Sequence, residues 1–254
     1  MKQSISWWCF DDSGLTPEQL VGLAIEIGYA AFDLVEQAHW QLIKDNGLAI
    51  AAIKGQSSIV KGFNHLNNHD DLEREVSANL ELARKWEIPH LIVFSGNREG
   101  IDDESGAETT ALGLQRLAGA AEDAGVNLLI ELLNSKIDHP DYQADRTAWG
   151  VKVCSMVNSP RVRLLYDIYH MQIMEGDVIR TIRTYAPFIA HYHTAGNPGR
   201  NEIGGTQELH YPAIMRAIAA TGFDGYIGQE LVPAGDPAEA LREAFTLCDV
   251  HGAR

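Results

Sequence analysis

Apolar residues fall along this chain in short strand-like runs, each followed by a polar or glycine-containing stretch and then by a segment with helical spacing. Gln3–Trp7 is the first run. Thr16 has the features of an N-cap with Pro17 at the first helical position, opening a helix toward Ile27 that Gly28 ends. Ala31–Val35 reads as the second strand, with Glu36 just beyond its tip, followed by a helix over Trp40–Asp45 and the Asn46-Gly47 turn. Ala49–Ile53 is the third strand. The loop Lys54–Asn68 exceeds the usual connection length of about 4–6 residues, as functional loops often do. Helix Asp70–Trp86 and the Pro89 break lead into strand His90–Ser95, and helix Glu108–Ala124 stops at Gly125.

The second half repeats the rhythm. Strand Val126–Glu131 precedes the polar loop Asn134–Tyr142 and helix Arg146–Val157, and strand Val162–Asp167 precedes helix Asp177–Tyr185. Strand Phe188–Thr194 precedes the loop Gly196–Gly205 and helix Tyr211–Thr221. Strand Tyr226–Glu230 precedes a final helix from Pro237 to about Cys248. Eight strand-helix pairs with right-handed crossovers make either a closed barrel or an open doubly wound sheet. No GxGxxG or GxxxxGK[ST] follows any strand, which weakens the nucleotide-binding forms of the open sheet. The expected fold is therefore an α/β protein, a (β/α)8 TIM barrel forming one domain over residues 1–254, and the length suits a barrel of about 250 residues.

The net charge is −15, with 35 acidic and 20 basic residues, which argues against a nucleic-acid partner and for a small soluble substrate. Cys9, Cys154 and Cys248 lack CxxC spacing, so neither a disulfide framework nor a zinc ribbon is implied, and a reducing cytoplasm is the expected compartment. No segment reads as an export signal or a membrane span. Barrels of this kind often associate, so a homo-oligomer stays open.

The chemistry sits at strand ends. Glu131, Asp167 and Glu230 each close an apolar strand and His193 lies near the end of another, so a barrel would gather them at the rim where active sites are built. Three carboxylates and one imidazole suit a divalent cation, Mg2+ or Mn2+ first, with Co2+ or Zn2+ as alternatives. Without a cation the carboxylates would repel and shift one another's pKa. Ordinary solvated strand-end residues are the competing explanation, and it weakens when four occupy the same relative place on strands five to eight.

Five segments carry a resemblance: Phe94-Ser-Gly-Asn-Arg98, Leu129-Ile-Glu-Leu-Leu-Asn134, Tyr166-Asp-Ile-Tyr-His170, His191-Tyr-His-Thr-Ala-Gly-Asn-Pro-Gly-Arg200 and Gly225-Tyr-Ile-Gly-Gln-Glu230. Together they resemble the hydroxypyruvate isomerase family of the xylose-isomerase-like barrels, which also include ketose 3-epimerases, inosose dehydratase and endonuclease IV. The resemblance implies a divalent metal held by Glu131, Asp167, the residue at 193 and Glu230, with the two glutamates also moving protons. Position 193 is His where close hydroxypyruvate isomerases carry Gln, and His there resembles the epimerase branch. Lys136 and Leu132 stand where that family more often shows Arg and Pro.

Isomerisation of a hydroxy-oxo compound removes a C–H proton, stabilises an enediolate and returns the proton to the neighbouring carbon. A divalent ion stabilises the developing charge, and Glu131 and Glu230 serve as base and acid. For a substrate carboxylate, as in hydroxypyruvate, Arg200 is the first clamp by its two-pronged guanidinium, with Lys136 and Arg98 behind it. His170 could reach a substrate hydroxyl or orient a ligand. His65, with Phe10 and Trp7, could wall the pocket, whereas His191, two residues before His193, is read as filling the barrel. His69, Tyr142 and Glu202 carry no assignment. A ketose 3-epimerase or sugar dehydratase is the alternative reading, and a non-catalytic sugar-binding barrel the bland one. A metal-dependent endonuclease would need more histidine ligands and a basic face.

Overall fold

In the computed structural model, which describes residues 1–250, the strands are β1 (Lys2–Ser6), β2 (Ala31–Asp33), β3 (Ala49–Lys54), β4 (His90–Val93), β5 (Asn127–Glu131), β6 (Val162–Asp167), β7 (Ile189–Thr194) and β8 (Tyr226–Gln229). They form one closed barrel in chain order. The helices are α1 (Pro17–Ile27), α2 (Trp40–Asp45), α3 (His69–Trp86), α4 (Asp103–Ala124), α5 (Thr147–Val157), α6 (Ile168–Met174), α7 (Val178–Tyr185), α8 (Tyr211–Ala219) and α9 (Pro237–Cys248). The expected domain over 1–254 extends to residues 251–254, which lie outside the described residues. Among the described residues no helix is long and apolar enough to cross a membrane.

The strands are short and nearly all buried, and the caps explain where several helices start. Thr16 accepts from the Gln19 amide while the Gln19 side chain accepts from the Thr16 amide, and Gly28 at φ 109° ends α1. Asp102 accepts from the Ser105 amide, so α4 begins at Asp103 rather than at Glu108. The polar first turn, Asp103 and Glu104, hides the start from an apolar-periodicity reading but suits the helix dipole.

The chain forms two compact units. One comprises residues 1–51, 177–186 and 191–250, with β1 paired to β2 and to β8, and β7 paired to β8. Its interior holds Ile5, Phe32, Ile43, Tyr192, Tyr211, Ile218, Ile227 and Leu241. The Tyr29 hydroxyl donates to the Leu241 carbonyl at 2.8 Å, tying the segment after α1 to α9.

The other unit comprises residues 52–176 and 187–190, with β3, β4, β5 and β6 paired in that order. Helix α4 buries Ala107, Ala111, Leu114, Leu117 and Ala121, spaced at helical intervals, and packs against α3 and α5. Burying Leu114 and Leu117 contributes about 1.5–3 kcal/mol each. The loop after β3 lies close to the end of β4: a Cβ on Gly62 would stand 2.1 Å from the Ser95 carbonyl carbon, so only glycine fits. The Asn64 amide donates to the Ser95 carbonyl at 2.9 Å beside it.

Candidate active site

In the second unit, Glu131 closes β5 and Asp167 closes β6, and both are buried. The Tyr142 hydroxyl donates to the Glu131 carbonyl at 3.0 Å and accepts from the Ser95 amide at 3.1 Å, so one side chain joins the ends of β4 and β5. Burial raises the Tyr142 phenol well above its ordinary value, which keeps it a neutral donor. Asp167 is also the N-cap of α6: its Oδ1 accepts from the His170 amide at 3.0 Å.

His170 is fully buried, and its Nδ1 lies 2.6 Å from Asn134 Nδ2 and 3.3 Å from the Asn134 amide nitrogen. Two N–H donors facing Nδ1 require a lone pair there, so the ring proton belongs on Nε2, which is 3.7 Å from Asp167 Oδ2. His65 is half-buried with Nε2 3.1 Å from the Asn97 carbonyl. The Lys136 ammonium donates to the carbonyls of Ile173 (2.7 Å) and Met174 (3.3 Å), capping the C-terminal end of α6. Arg98 pairs with Asp145 at 3.1 Å and donates to the Tyr142 carbonyl, which anchors the loop after β5.

In the first unit, His193 and Glu230 meet directly. His193 Nδ1 is 3.0 Å from Glu230 Oε2, and the Arg200 guanidinium is 2.6 Å from the same oxygen. Trp8 Nε1 donates to Glu230 Oε1 at 2.9 Å, and the Arg200 guanidinium sits 5.3 Å above the Trp8 ring. Burial by itself would raise the Glu230 pKa, but the charges of His193 and Arg200 and the Trp8 donor hold it well below the usual carboxylate value.

Asp33 at the tip of β2 is fully buried and has His191 Nε2 at 3.0 Å and the Ser4 hydroxyl at 2.8 Å on Oδ2. Burial opposes its ionisation, yet His191 and His193 outweigh it and keep the carboxyl far below its ordinary value. An Asp with its pKa depressed on folding adds stability that is complete above the unfolded value, about 3.9, and lost as the pH falls toward the folded one. The stability difference between the wild type and Asp33→Asn, measured by urea unfolding, is therefore expected to shrink as the pH is lowered from 7 to 3. A difference constant over that range would contradict the assignment.

A protein-family model described as xylose isomerase-like TIM barrel matches residues 22–248. The chain belongs to the xylose isomerase-like TIM barrel family. It is similar to a putative hydroxypyruvate isomerase of Homo sapiens, 33% identical over 149 residues that cover 58% of this chain and 54% of that protein. Similarity to the 2-oxo-tetronate isomerase of Cupriavidus necator is 35% over 144 residues, covering 55% and 54%. The chain spans about half the length of these two curated relatives. A putative hydroxypyruvate isomerase of Streptomyces coelicolor is 29% identical over 246 residues, covering 91% and 81%. An AP endonuclease, family 2, from Brucella melitensis superposes with a TM-score of 0.85 at 23% identity, covering 95% of this chain and 97% of that one. The D-psicose 3-epimerase from Clostridium cellulolyticum H10 superposes with a TM-score of 0.74 at 18% identity, covering 97% and 96%. At these identities the two structures show the fold.

Within this xylose isomerase-like barrel, buried acidic and histidine groups could hold a metal ion. Two functional-looking residues escape a reading of the sequence. Trp8, a large apolar residue with 39% exposure, is a donor to Glu230, and Asp33 is one of the most buried carboxylates. Asp33 carries the same signal as Glu131, an acid closing an apolar strand, but the apolar pattern predicts a strand running on to Val35, whereas Leu34 turns to φ 55°. Glu36, beyond that expected tip, is exposed. Trp7 stacks on His39 at 4.8 Å and meets Phe32 edge-on, and Phe10 is fully buried, so both serve the core.

Proposed function

We propose that the chain is a divalent-metal-dependent isomerase that moves a carbonyl between adjacent carbons of a small hydroxy-oxo acid such as hydroxypyruvate, giving tartronate semialdehyde. In this reading Glu131, Asp167, His193 and Glu230 hold the ion, and Glu131 and Glu230 move the proton. One observation carries it: His193 Nδ1 and Glu230 Oε2 stand 3.0 Å apart at buried strand ends of one unit, and Glu131 and Asp167 close the neighbouring buried strands β5 and β6 of the other. All four residues are at most 4% exposed. Three buried carboxylates sharing one site would repel unless a cation compensates them, and the hard oxygen set with one nitrogen fits Mg2+, Mn2+, Co2+ or Zn2+.

Bound there, a divalent ion supplies Lewis-acid stabilisation of the charge that develops on the substrate oxygens. The chain's own groups do the rest. Trp8 and Arg200 keep Glu230 ionised and fixed, ready to exchange a proton with a substrate carbon, and Glu131 serves the neighbouring carbon. Arg200, held over the Trp8 ring, is the guanidinium that would meet a substrate carboxylate in this reading. His170, with its proton on Nε2, can donate to a substrate hydroxyl, and His65 borders the same loop region as Asn97. A cytoplasmic location and a small-molecule partner belong to this reading.

A ketose 3-epimerase is the second reading, favoured by the imidazole at 193 where close hydroxypyruvate isomerases carry Gln. Proton NMR in D2O of the Mn2+-free, Mg2+-loaded protein with hydroxypyruvate, tartronate semialdehyde and a panel of ketoses separates the two. We expect deuterium at one carbon of the three-carbon acids, with interconversion. Exchange at C3 of a ketose alone would favour epimerisation, and no exchange into any of these compounds would contradict both.

A further inference from the structure

His193 stands between two buried carboxylates that make different demands on its two ring nitrogens. On one side Nδ1 is 3.0 Å from Glu230 Oε2; on the other Nε2 is 3.6 Å from Asp33 Oδ2. Asp33 lies outside the four residues proposed to hold the ion. Its Oδ2 is itself fixed by the Ser4 hydroxyl and by His191 Nε2. Space for this arrangement comes from β8: a Cβ on Gly228 would stand 2.3 Å from Asp33 Oδ2 and 2.7 Å from His193 Cδ2. Any other residue there would push the carboxylate and the ring apart.

A neutral imidazole has one proton to place. A nitrogen that serves as a metal ligand must offer its lone pair, so the proton has to sit on the other nitrogen and needs an acceptor there. We propose that Asp33 is the positioning residue that holds His193 as the Nε2–H tautomer, leaving Nδ1 to face the ion, with Ser4 and His191 holding Asp33 in place. The inference rests on the four-residue ion site proposed above. His191 is thereby given a purpose other than filling the interior: it is the neighbour that keeps the Asp33 carboxylate oriented.

The test uses the full chain labelled with 15N-histidine and Zn2+ as the probe. Long-range 1H–15N correlation of the wild type with one equivalent of Zn2+ is expected to show His193 protonated at Nε2, with the shift on metal addition confined to Nδ1. Protonation at Nδ1, or a Zn2+-induced shift at Nε2 or at His191, would overturn the inference. Calorimetric titration of Asp33→Asn is expected to show Zn2+ affinity about 10–100-fold below the wild type, with circular dichroism reporting whether the variant is folded. Equal affinity in the folded variant overturns the role of Asp33 while leaving the ion site standing. Absence of Zn2+ binding by the wild type overturns both.

Discussion

Glu230→Gln is expected to lower turnover by about 10²–10⁴-fold, the range that loss of a positioned general acid or base produces. The substitution preserves shape, so the Trp8 donor keeps an oxygen to meet, but it removes the charge that Arg200 and His193 face. Arg200 then has a neutral amide 2.6 Å away in place of a carboxylate, so some loss of stability accompanies the loss of rate. Steady-state kinetics and ligand binding measured on the same preparation separate the two effects. Binding retained with turnover lost excludes a non-catalytic sugar-binding barrel, whereas turnover within about tenfold of the wild type would show that Glu230 moves no proton.

Chelation of divalent ions is expected to abolish turnover and to lower the melting temperature, and both should return on adding Mg2+ or Mn2+. A ligand that binds only the folded chain stabilises it by RT ln(1 + [L]/Kd), about 2.7 kcal/mol at a hundredfold excess over Kd. Thermal unfolding with and without Mn2+ reads this directly. Glu131→Gln should lose most of the Mn2+-dependent increment, because a buried carboxylate that helps hold the cation has been replaced by an amide. Superimposable melts of the chelated and Mn2+-loaded wild type would contradict the reading.

Much of this architecture is legible in the sequence because strand ends and helix starts are written in local chemistry. The Thr16-Pro17 start, the Gly28 and Gly125 stops, and strand β6 from Val162 to Asp167 follow from capping, left-handed glycine and apolar runs. Helix α6 is not legible in the same way: Asp167 reads as a strand-end acid, and its second task as the N-cap of Ile168–Met174 shows only in the bond to the His170 amide. The partners of the loop cations are invisible for a different reason. Lys136 meets the carbonyls of Ile173 and Met174 and Arg98 meets Asp145, contacts that depend on how loops fold back and not on spacing along the chain. Asp33 and Trp8 were hidden because a three-residue strand and a 3-10 turn leave little periodicity to read.

The account depends on four side chains, far apart along the polypeptide, sharing one cation. A crystal of the wild-type protein grown with Mn2+ and measured for anomalous scattering tests this most directly. The expected result is a single strong peak with one atom each from Glu131, Asp167, His193 and Glu230 within about 2.0–2.4 Å. A peak bound by other residues, or none at saturating Mn2+, would contradict it.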